Sequence, residues 1–412
     1  MEIRTPDAGI EAILDRLETV LGAAARPVPL HQPVFQGREW DYVRHCLDTG
    51  WVSPAGAFVG RFERLLAEYA GVAEAVAVSS GTAALHIGLL LAGVGRDDEV
   101  LMPPLSFVAT ANAASYLGAV PHFVDIAPDS LGLCPQRLAA HLADIAEPVS
   151  GGCRNRRTGR RIAAMTPVHV FGHPADLDAL EELSGRYAIP LVEDAAEALG
   201  SRYKGRHVGR AGTCAALSFN GNKIVTTGGG GALLTNDTAL ARKARHLTST
   251  AKLPHPWRYV HDAVGYNYRM PNINAALGCA QMEQLEDFLA RKRVLAEAYI
   301  RAFRGLPGLQ VVREPQGTRS NYWLNALRFT DASGHRREAF LEAAHRKGLL
   351  VRPAWDLLST LPSYVHCPRA DLENAVAAAA SVVNLPSGAD VGPGLWGKDS
   401  GPGDQGRTGS GA

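Results

Sequence analysis

Lys223 is the residue of this chain whose type and setting most invite covalent chemistry. It stands in SFNGNKIVTTGGGGALLTN, where a strand-like run, Cys214 to Phe219, delivers it into a short polar turn. Four consecutive glycines, Gly228 to Gly231, follow before an apolar run resumes at Ala232. A lysine that is partly desolvated, or close to another cation, becomes a nucleophile able to form a Schiff base with a carbonyl. The same residues also read as a solvated loop lysine beside a flexible hinge, so the other candidates have to decide.

Those candidates share one kind of position, just after a strand-like run. SSGTAAL, Ser79 to Leu85, precedes a helix-length segment. Amides at a helix N-terminus, small residues and the Thr82 hydroxyl would cradle a phosphate without a cationic side chain, although helix capping is the commoner task of such a run. It has neither the GK[ST] ending of a Walker loop nor GxGxxG. Asp194 closes IPLVED, where a carboxylate would cap a helix or keep a pyridine nitrogen protonated through a charge-assisted hydrogen bond. Phe107, after MPPLS, would fill the core or stack on a flat ring. His169 could flank a cofactor; with His173 it forms HVFGH, but histidines four apart share a face only on a helix, so no metal site is expected. Phosphate cradle, aromatic, histidine, aspartate and lysine together match the needs of pyridoxal 5′-phosphate at its phosphate, ring face, ring nitrogen and aldehyde.

The elements that must position these residues follow from the hydrophobic pattern. Apolar runs at 75–79, 99–103, 120–126, 161–170 and 189–194 alternate with helix-length segments at 82–92, 106–117, 135–145 and 176–187. This alternation predicts a mostly parallel sheet covered on both faces, with ligands beyond the carboxyl ends of the strands. The polar, Gly-rich segment 146–160 reads as a surface loop, and its arginines as solvated. After a helix over 238–247, residues 249–272 form a long irregular stretch rich in aromatic and basic residues, and such a loop is usually functional or docked. One helix is expected from Ile273 to about Phe303, followed by a smaller α+β unit with strands over 321–329 and 349–355 and helices over 337–347 and 371–382. The division is then 1–27, an amphipathic helix (Ile10, Ile13, Leu14, Leu17, Val20, Leu21) and connector; 28–248, a large cofactor-binding domain; 249–386, loop, long helix and small domain; and 387–412, a tail. That tail holds nine glycines in 26 residues and is expected to be disordered.

The totals exclude other classes. With 412 residues, 46% hydrophobic, 20% charged and a formal net charge of +1, bulk electrostatics argue against a nucleic-acid or membrane-surface partner. Six scattered cysteines without a CxxC pair suggest reduced thiols rather than a disulfide framework or zinc knuckle. No run of about 18 apolar residues and no signal-peptide pattern is present, so a cytoplasmic protein is expected.

In order, SSGTAAL, SFVATANA, PVHVFG, VEDAAEALGS, SFNGNK and GYNYRM make the chain from about Val28 to Pro386 resemble the sugar-nucleotide aminotransferases of pyridoxal-phosphate fold type I, the DegT/StrS type, with an aspartate-aminotransferase-like α/β fold. The resemblance implies that Lys223 carries the cofactor as a Schiff base and then serves as acid and base. It implies that Asp194 pairs with the ring nitrogen, Phe107 stacks on the ring, and Gly81, Thr82 and Ser218 hold the phosphate. Glu197 stands where many relatives carry glutamine near the ring hydroxyl. Asn267, in GYNYRM, would reach the phosphate in a partner subunit, which implies a homodimer with shared sites. His169 and Arg352, in VRPAW, resemble residues lining the mouth of the site, as substrate contacts. SFNGNKIVTTGGGG with VEDAAEALGS is most similar to the branch linked to legionaminic-acid and related nonulosonate pathways. That implies transfer of the amino group of L-glutamate to the C4 ketone of a UDP- or GDP-linked 4-keto-6-deoxy sugar. The alternatives are a sugar dehydratase of the same family, whose members typically have histidine in place of the lysine, and a non-catalytic regulatory protein binding the same cofactor. Lys223 and Asp194 weigh against both.

Overall fold

Short runs of small and branched apolar residues, each buried along most of its length, build the centre of the molecule. The computed structural model describes residues 8–331 and 334–395. Its strands begin with β1 (Glu74–Val78), β2 (Glu99–Met102), β3 (Val120–Phe123), β4 (Ala146–Val149), β5 (Gly152–Asn155), β6 (Arg161–Met165), β7 (Val192–Asp194), β8 (Arg202–Tyr203), β9 (Arg206–His207), β10 (Cys214–Ser218) and β11 (Gly231–Thr235). β3, β2 and β6 pair in parallel, as do β7 and β10. Parallel bridges Met165–Leu191 and Val168–Asp194 join the two sets, so the sheet runs β3-β2-β6-β7-β10-β11-β1. Of these seven, only β11 runs against its neighbours, β1 and β10. The expected parallel sheet is therefore mixed, because the link from β10 to β11 contains no crossover helix and must double back.

The helices preceding and flanking this sheet are α1 (Ala8–Leu21), α2 (Glu39–Thr49), α3 (Ala57–Ala70), α4 (Gly81–Leu91), α5 (Ala109–Tyr116), α6 (Pro135–Ile145), α7 (Leu177–Tyr187) and α8 (Thr238–Thr248). α4, GTAALHIGLLL, is apolar almost all round and correspondingly buried, packed against β10, β11 and α5. The segment 146–160, expected as a surface loop, instead forms a hairpin of β4 and β5 that extends the sheet beside β6. Its anchor is a buried carboxylate: Glu99 accepts from Asn155 Nδ2 (2.8 Å) and Thr158 Oγ1 (2.6 Å). Glycines and arginines obscure the pattern, yet Cys153 and Asn155 point inward while Arg154 points out, the two-residue period of a strand.

Beyond α8, residues 249–272 contain a short hairpin of β12 (Lys252–Leu253) and β13 (Val260–His261). The single helix expected over Ile273 to Phe303 is two, α9 (Asn272–Met282) and α10 (Leu285–Ala302). At the break, Gln281 and Gln284 both donate to Glu39 Oε1 (2.7 and 2.6 Å), a contact from a residue 242 and 245 positions away that local propensity cannot announce. β14 (Leu309–Val311), β15 (Thr318–Arg319), β16 (Asn325–Phe329), β17 (Arg352–Pro353) and β18 (Val382–Leu385), with α11 (His335–Arg346) and α12 (Glu373–Ser381), complete the chain. β14, β16, β18 and β17 form a second, antiparallel sheet, whereas β15 pairs with β8 of the first unit.

The smaller unit takes residues from both ends of the chain. Ile10, Ile13, Leu14, Leu17 and Leu21 of α1 share one core with Leu295, Tyr299, Phe340, Val383 and Leu385. The tail expected to be disordered over 387–412 is folded over 387–395. Ser387, Ala389 and Val391 are buried, and Ser387 Oγ accepts from the Asn325 amide (2.8 Å). A short extended piece needs no hydrophobic face of its own when finished elements offer it partners, and composition does not record that. Residues 396–412 lie outside the described residues.

Candidate active site

The carboxyl ends of β1, β7 and β10 open on a cavity of ≈ 790 Å³. Lys223, Asp194, Glu197, Phe107, Gly81, Thr82, Ser218 and Arg352 all line it. Side-chain alternation decides who faces in. Along the parallel bridge to β7, Val168 and Asp194 line the cavity, while the next residue of one strand and the preceding residue of the other, His169 and Glu193, face the opposite side.

This corrects the expectation for His169. It is fully buried, its Nδ1 accepts the Ala175 amide (3.1 Å), and its Nε2 carries the proton shared with Glu193 Oε2 (2.9 Å). Glu193 in turn accepts from the amides of Gly209 (2.9 Å) and Ala211 (2.7 Å). His169 thus braces the sheet from behind and has no ring atom left for a substrate. Among the described residues no group of three or more ligating side chains is placed to hold an ion.

At the cavity floor, Asp194 accepts from Thr110 Oγ1 (2.7 Å) and from the Ala196 amide (3.1 Å). Ser106 Oγ lies 2.8 Å from Thr110 Oγ1, whose proton is committed to the carboxylate, so Ser106 donates into this chain. Burial raises the Asp194 carboxyl above its ordinary range, and the Thr110 hydrogen bond opposes it in part. Glu197 is pushed up to about 7, chiefly by burial. One of its oxygens accepts the Phe171 amide (2.9 Å) and the other lies 3.5 Å from Lys223 Nζ. The lysine ammonium also sits 3.8 Å from the centre of the Trp323 ring.

Three backbones converge at the far end. Ser80 Oγ caps α4 by accepting the Ala83 amide (3.0 Å), which leaves the first-turn amides of Gly81 and Thr82, without intrahelical acceptors, at the cavity. Helix cap and anion cradle are therefore neighbouring tasks of one motif. A side chain on Gly81 would meet Ser218 Cβ at 2.8 Å, and one on Gly231 would run into the Ser80 backbone. The run of four glycines is accordingly no hinge: Gly230 and Gly231 permit close approach, Gly228 takes a positive φ, and Asn274 Nδ2 pins the loop through the carbonyls of Thr227 (2.7 Å) and Gly229 (3.3 Å).

The pattern of the DegT/DnrJ/EryC1/StrS aminotransferase family matches residues 34–394. The chain belongs to this family. It is 36% identical to the GDP-perosamine synthase of Caulobacter vibrioides over 361 residues, 87% of this chain and 92% of the relative. With the GDP-perosamine synthase of Escherichia coli O157:H7 it shares 37% over 337 residues, 82% and 87% of the two chains. Among solved structures, the aminotransferase TlmJ from Streptoalloteichus hindustanus superposes with a TM-score of 0.79 at 31% identity, covering 87% of this chain and 93% of that one. The DegT/DnrJ/EryC1/StrS family is one of pyridoxal-phosphate enzymes, the fold is that of fold type I, and this member is a transaminase.

Within the family site, Asn267 stands apart. It is exposed, its backbone bridges to Ser249, and it does not line the cavity of its own chain. Four lining or supporting residues escaped the sequence: Ser106, Thr110, Trp323 and Asn384. Ser106 and Thr110 lie within SFVATANA, Ser106 just before α5 and Thr110 in its first turn, and two hydroxyls at a strand-to-helix junction are a usable signal. Trp323 and Asn384 sit in strand-like apolar text that reads as core. Asn384 pairs across the strands with Arg352, lines the cavity, and its buried Oδ1 has no hydrogen-bond partner.

Proposed function

We propose that this aminotransferase transfers the amino group of L-glutamate to the C4 ketone of a nucleotide-linked 4-keto-6-deoxy sugar, with pyridoxal 5′-phosphate held in the cavity by Lys223, Asp194, Phe107, Gly81, Thr82 and Ser218. The observation that carries the reading is the opening of Lys223 Nζ and the buried Asp194 carboxylate into one cavity whose far end is the N-terminus of α4. The cofactor fits what these residues lack. Asp194 is a buried acid with hydroxyl and amide donors and a raised pKa, so a ring N–H⁺ supplies the positive partner that burial otherwise denies it. When bound, the cofactor supplies an aldehyde that takes up nitrogen covalently and a ring that withdraws electrons while its nitrogen stays protonated.

The protein's part is to hold and move protons. Asp194 keeps a proton at the ring nitrogen, and Thr110 holds the carboxylate in line for it. Phe107, 56% exposed within the cavity, offers its face to the ring. The amides of Gly81 and Thr82 and the Ser218 hydroxyl take the phosphate at the positive end of α4. Lys223 carries a proton to and from the reacting carbon, and Glu197, titrating near neutrality, accepts or returns one beside it. Arg352, at the exposed rim, is placed for a substrate anion.

The GDP-perosamine synthases among the relatives favour a guanosine-linked substrate over a uridine-linked one. The resemblance to the legionaminic-acid branch supports the same sugar class without choosing a pathway. A homodimer with shared sites is part of the proposal: Asn267 is exposed, and the hairpin before it with the loop that follows presents Trp257, Tyr259 and Val264 at 78%, 83% and 84% exposure, a surface suited to a second copy. No described helix is long and apolar enough to cross a membrane, which suits a reaction on cytoplasmic nucleotide sugars. Glutamate-dependent amination across a panel of GDP- and UDP-linked 4-ketosugars tests the substrate. The lysine is tested by borohydride reduction and peptide mapping: the purified protein should be yellow and carry the reduced cofactor on Lys223, and Lys223→Ala should lose both colour and turnover. Retained colour in that variant would reject the assignment.

A further inference from the structure

We propose that Trp323 is a positioning residue, whose indole face is the resting place of the Lys223 ammonium whenever that amine is free. The inference rests on the aminotransferase reading. For half of each reaction cycle the nitrogen resides on cofactor and substrate, so the lysine is unattached. It must nevertheless stay within reach of the reacting carbon. Two groups face its Nζ, the Trp323 ring, with the centroid 3.8 Å away, and Glu197 Oε1. The Glu197 oxygen at 3.5 Å is long for a charge-assisted hydrogen bond, which runs to about 2.7–2.9 Å. The π face, negative at its centre, therefore shares the cation with Glu197, and its 3.8 Å distance lies well inside the range of a cation–π contact.

The ring cannot turn away. Trp323 is 4% exposed, and its indole N–H donates to the carbonyl of Asn222, the residue before the lysine (2.8 Å). Its own amide donates to Asn321 Oδ1 (2.8 Å). Its carbonyl accepts from the buried Lys292 ammonium (3.1 Å), which also donates to the Ser387 carbonyl. One indole thus grips the lysine turn by its edge and the lysine amine by its face. It does so from the segment linking β15, paired with the large unit, to β16 in the small unit's sheet. A tryptophan that merely filled the core would show neither coupling to the same loop.

The test reads the free amine directly. The cofactor-free full chain is pulsed with acetic anhydride, and acetylation of Lys223 is measured by mass spectrometry relative to the exposed Lys243. Loss of the cation–π contact in Trp323→Leu should speed labelling of Lys223 about three- to tenfold, and Trp323→Phe should stay near the parent rate. Unchanged labelling in the leucine variant, or equal acceleration in the phenylalanine variant, overturns the proposal. Fluorinated tryptophans incorporated in place of tryptophan keep the shape and the N–H while draining charge from the ring face, so folding is not at stake. Labelling should rise with each added fluorine, and a flat series also overturns the proposal. Borohydride reduction after adding pyridoxal phosphate checks the underlying reading separately: label on Lys223 in every variant preserves it, whichever way the acetylation falls.

Discussion

Asp194 and Glu197, three residues apart, are both buried carboxyls that burial pushes upward, yet they are wired differently. Asp194 has two donors fixed on it, so its charge is prepared for a cation. Glu197 has one amide and a distant ammonium, and its pKa reaches about 7. Between its ordinary value of 4.5 and about 7 the folded protein holds a proton there that the unfolded chain has released, so folding stability falls as pH rises through that window and levels above it. The cofactor-free protein should therefore lose roughly 3 kcal/mol from this group between about pH 4.5 and 7. Glu197→Gln, which keeps the size and cannot titrate, should flatten that slope in urea unfolding curves taken along the pH range. A slope identical in the variant would show that Glu197 is not the group responsible. Of the site's residues, those at turns after strands were legible because chemistry concentrates there. His169 was misjudged because its strand position is one residue out of phase with the cavity.

At the scale of elements, the N-terminus of α4 and the start of β11 meet with no room for a β-carbon between them. Gly231→Ala must press its methyl into the Ser80 backbone, which has no flexible end to yield. Overpacking of this kind costs about 1–3 kcal/mol, and here the displaced part is the cap that aims the Gly81 and Thr82 amides. Gly231→Ala is expected to lower the melting temperature and, more sharply, to weaken retention of pyridoxal phosphate on dialysis. Gly229→Ala, with nothing within 4 Å of the added carbon, should leave stability nearly unchanged. A run of four glycines in a sequence cannot say which member is indispensable, because the clash is with a residue 151 positions away. The β4–β5 hairpin and the break between α9 and α10 escaped for the same reason, being held by Glu99 and Glu39 from outside their own stretches.

For the whole molecule, the site is a junction. The large unit provides lysine, aspartate and helix N-terminus, and the small unit brings Arg352, Trp355 and Asn384 to the opposite wall. α1 locks that small unit by laying five apolar side chains into its core. If Asn267 completes the site of a second copy, Asn267→Ala and Lys223→Ala proteins should each be weakly active or inactive, while a mixture that exchanges subunits regains one intact site per hybrid. Activity and cofactor content measured on such mixtures should rise above both parents, and no recovery would mean that each chain serves itself.

The sequence by itself determined the alternation of strands and helices, and with it the α/β class and the row of reactive residues at strand ends, because side-chain period and turn chemistry are local properties. It also determined the family, since six motifs in order are written along one chain. Only the tertiary structure decided that β11 runs against its neighbours, that His169 lies behind the sheet, and that residues 387–395 are folded. It alone placed the Trp323 ring against Lys223, 100 positions earlier. Those outcomes depend on which distant surface each residue meets, and packing, hydrogen-bond partners and burial exist only once the chain has closed on itself.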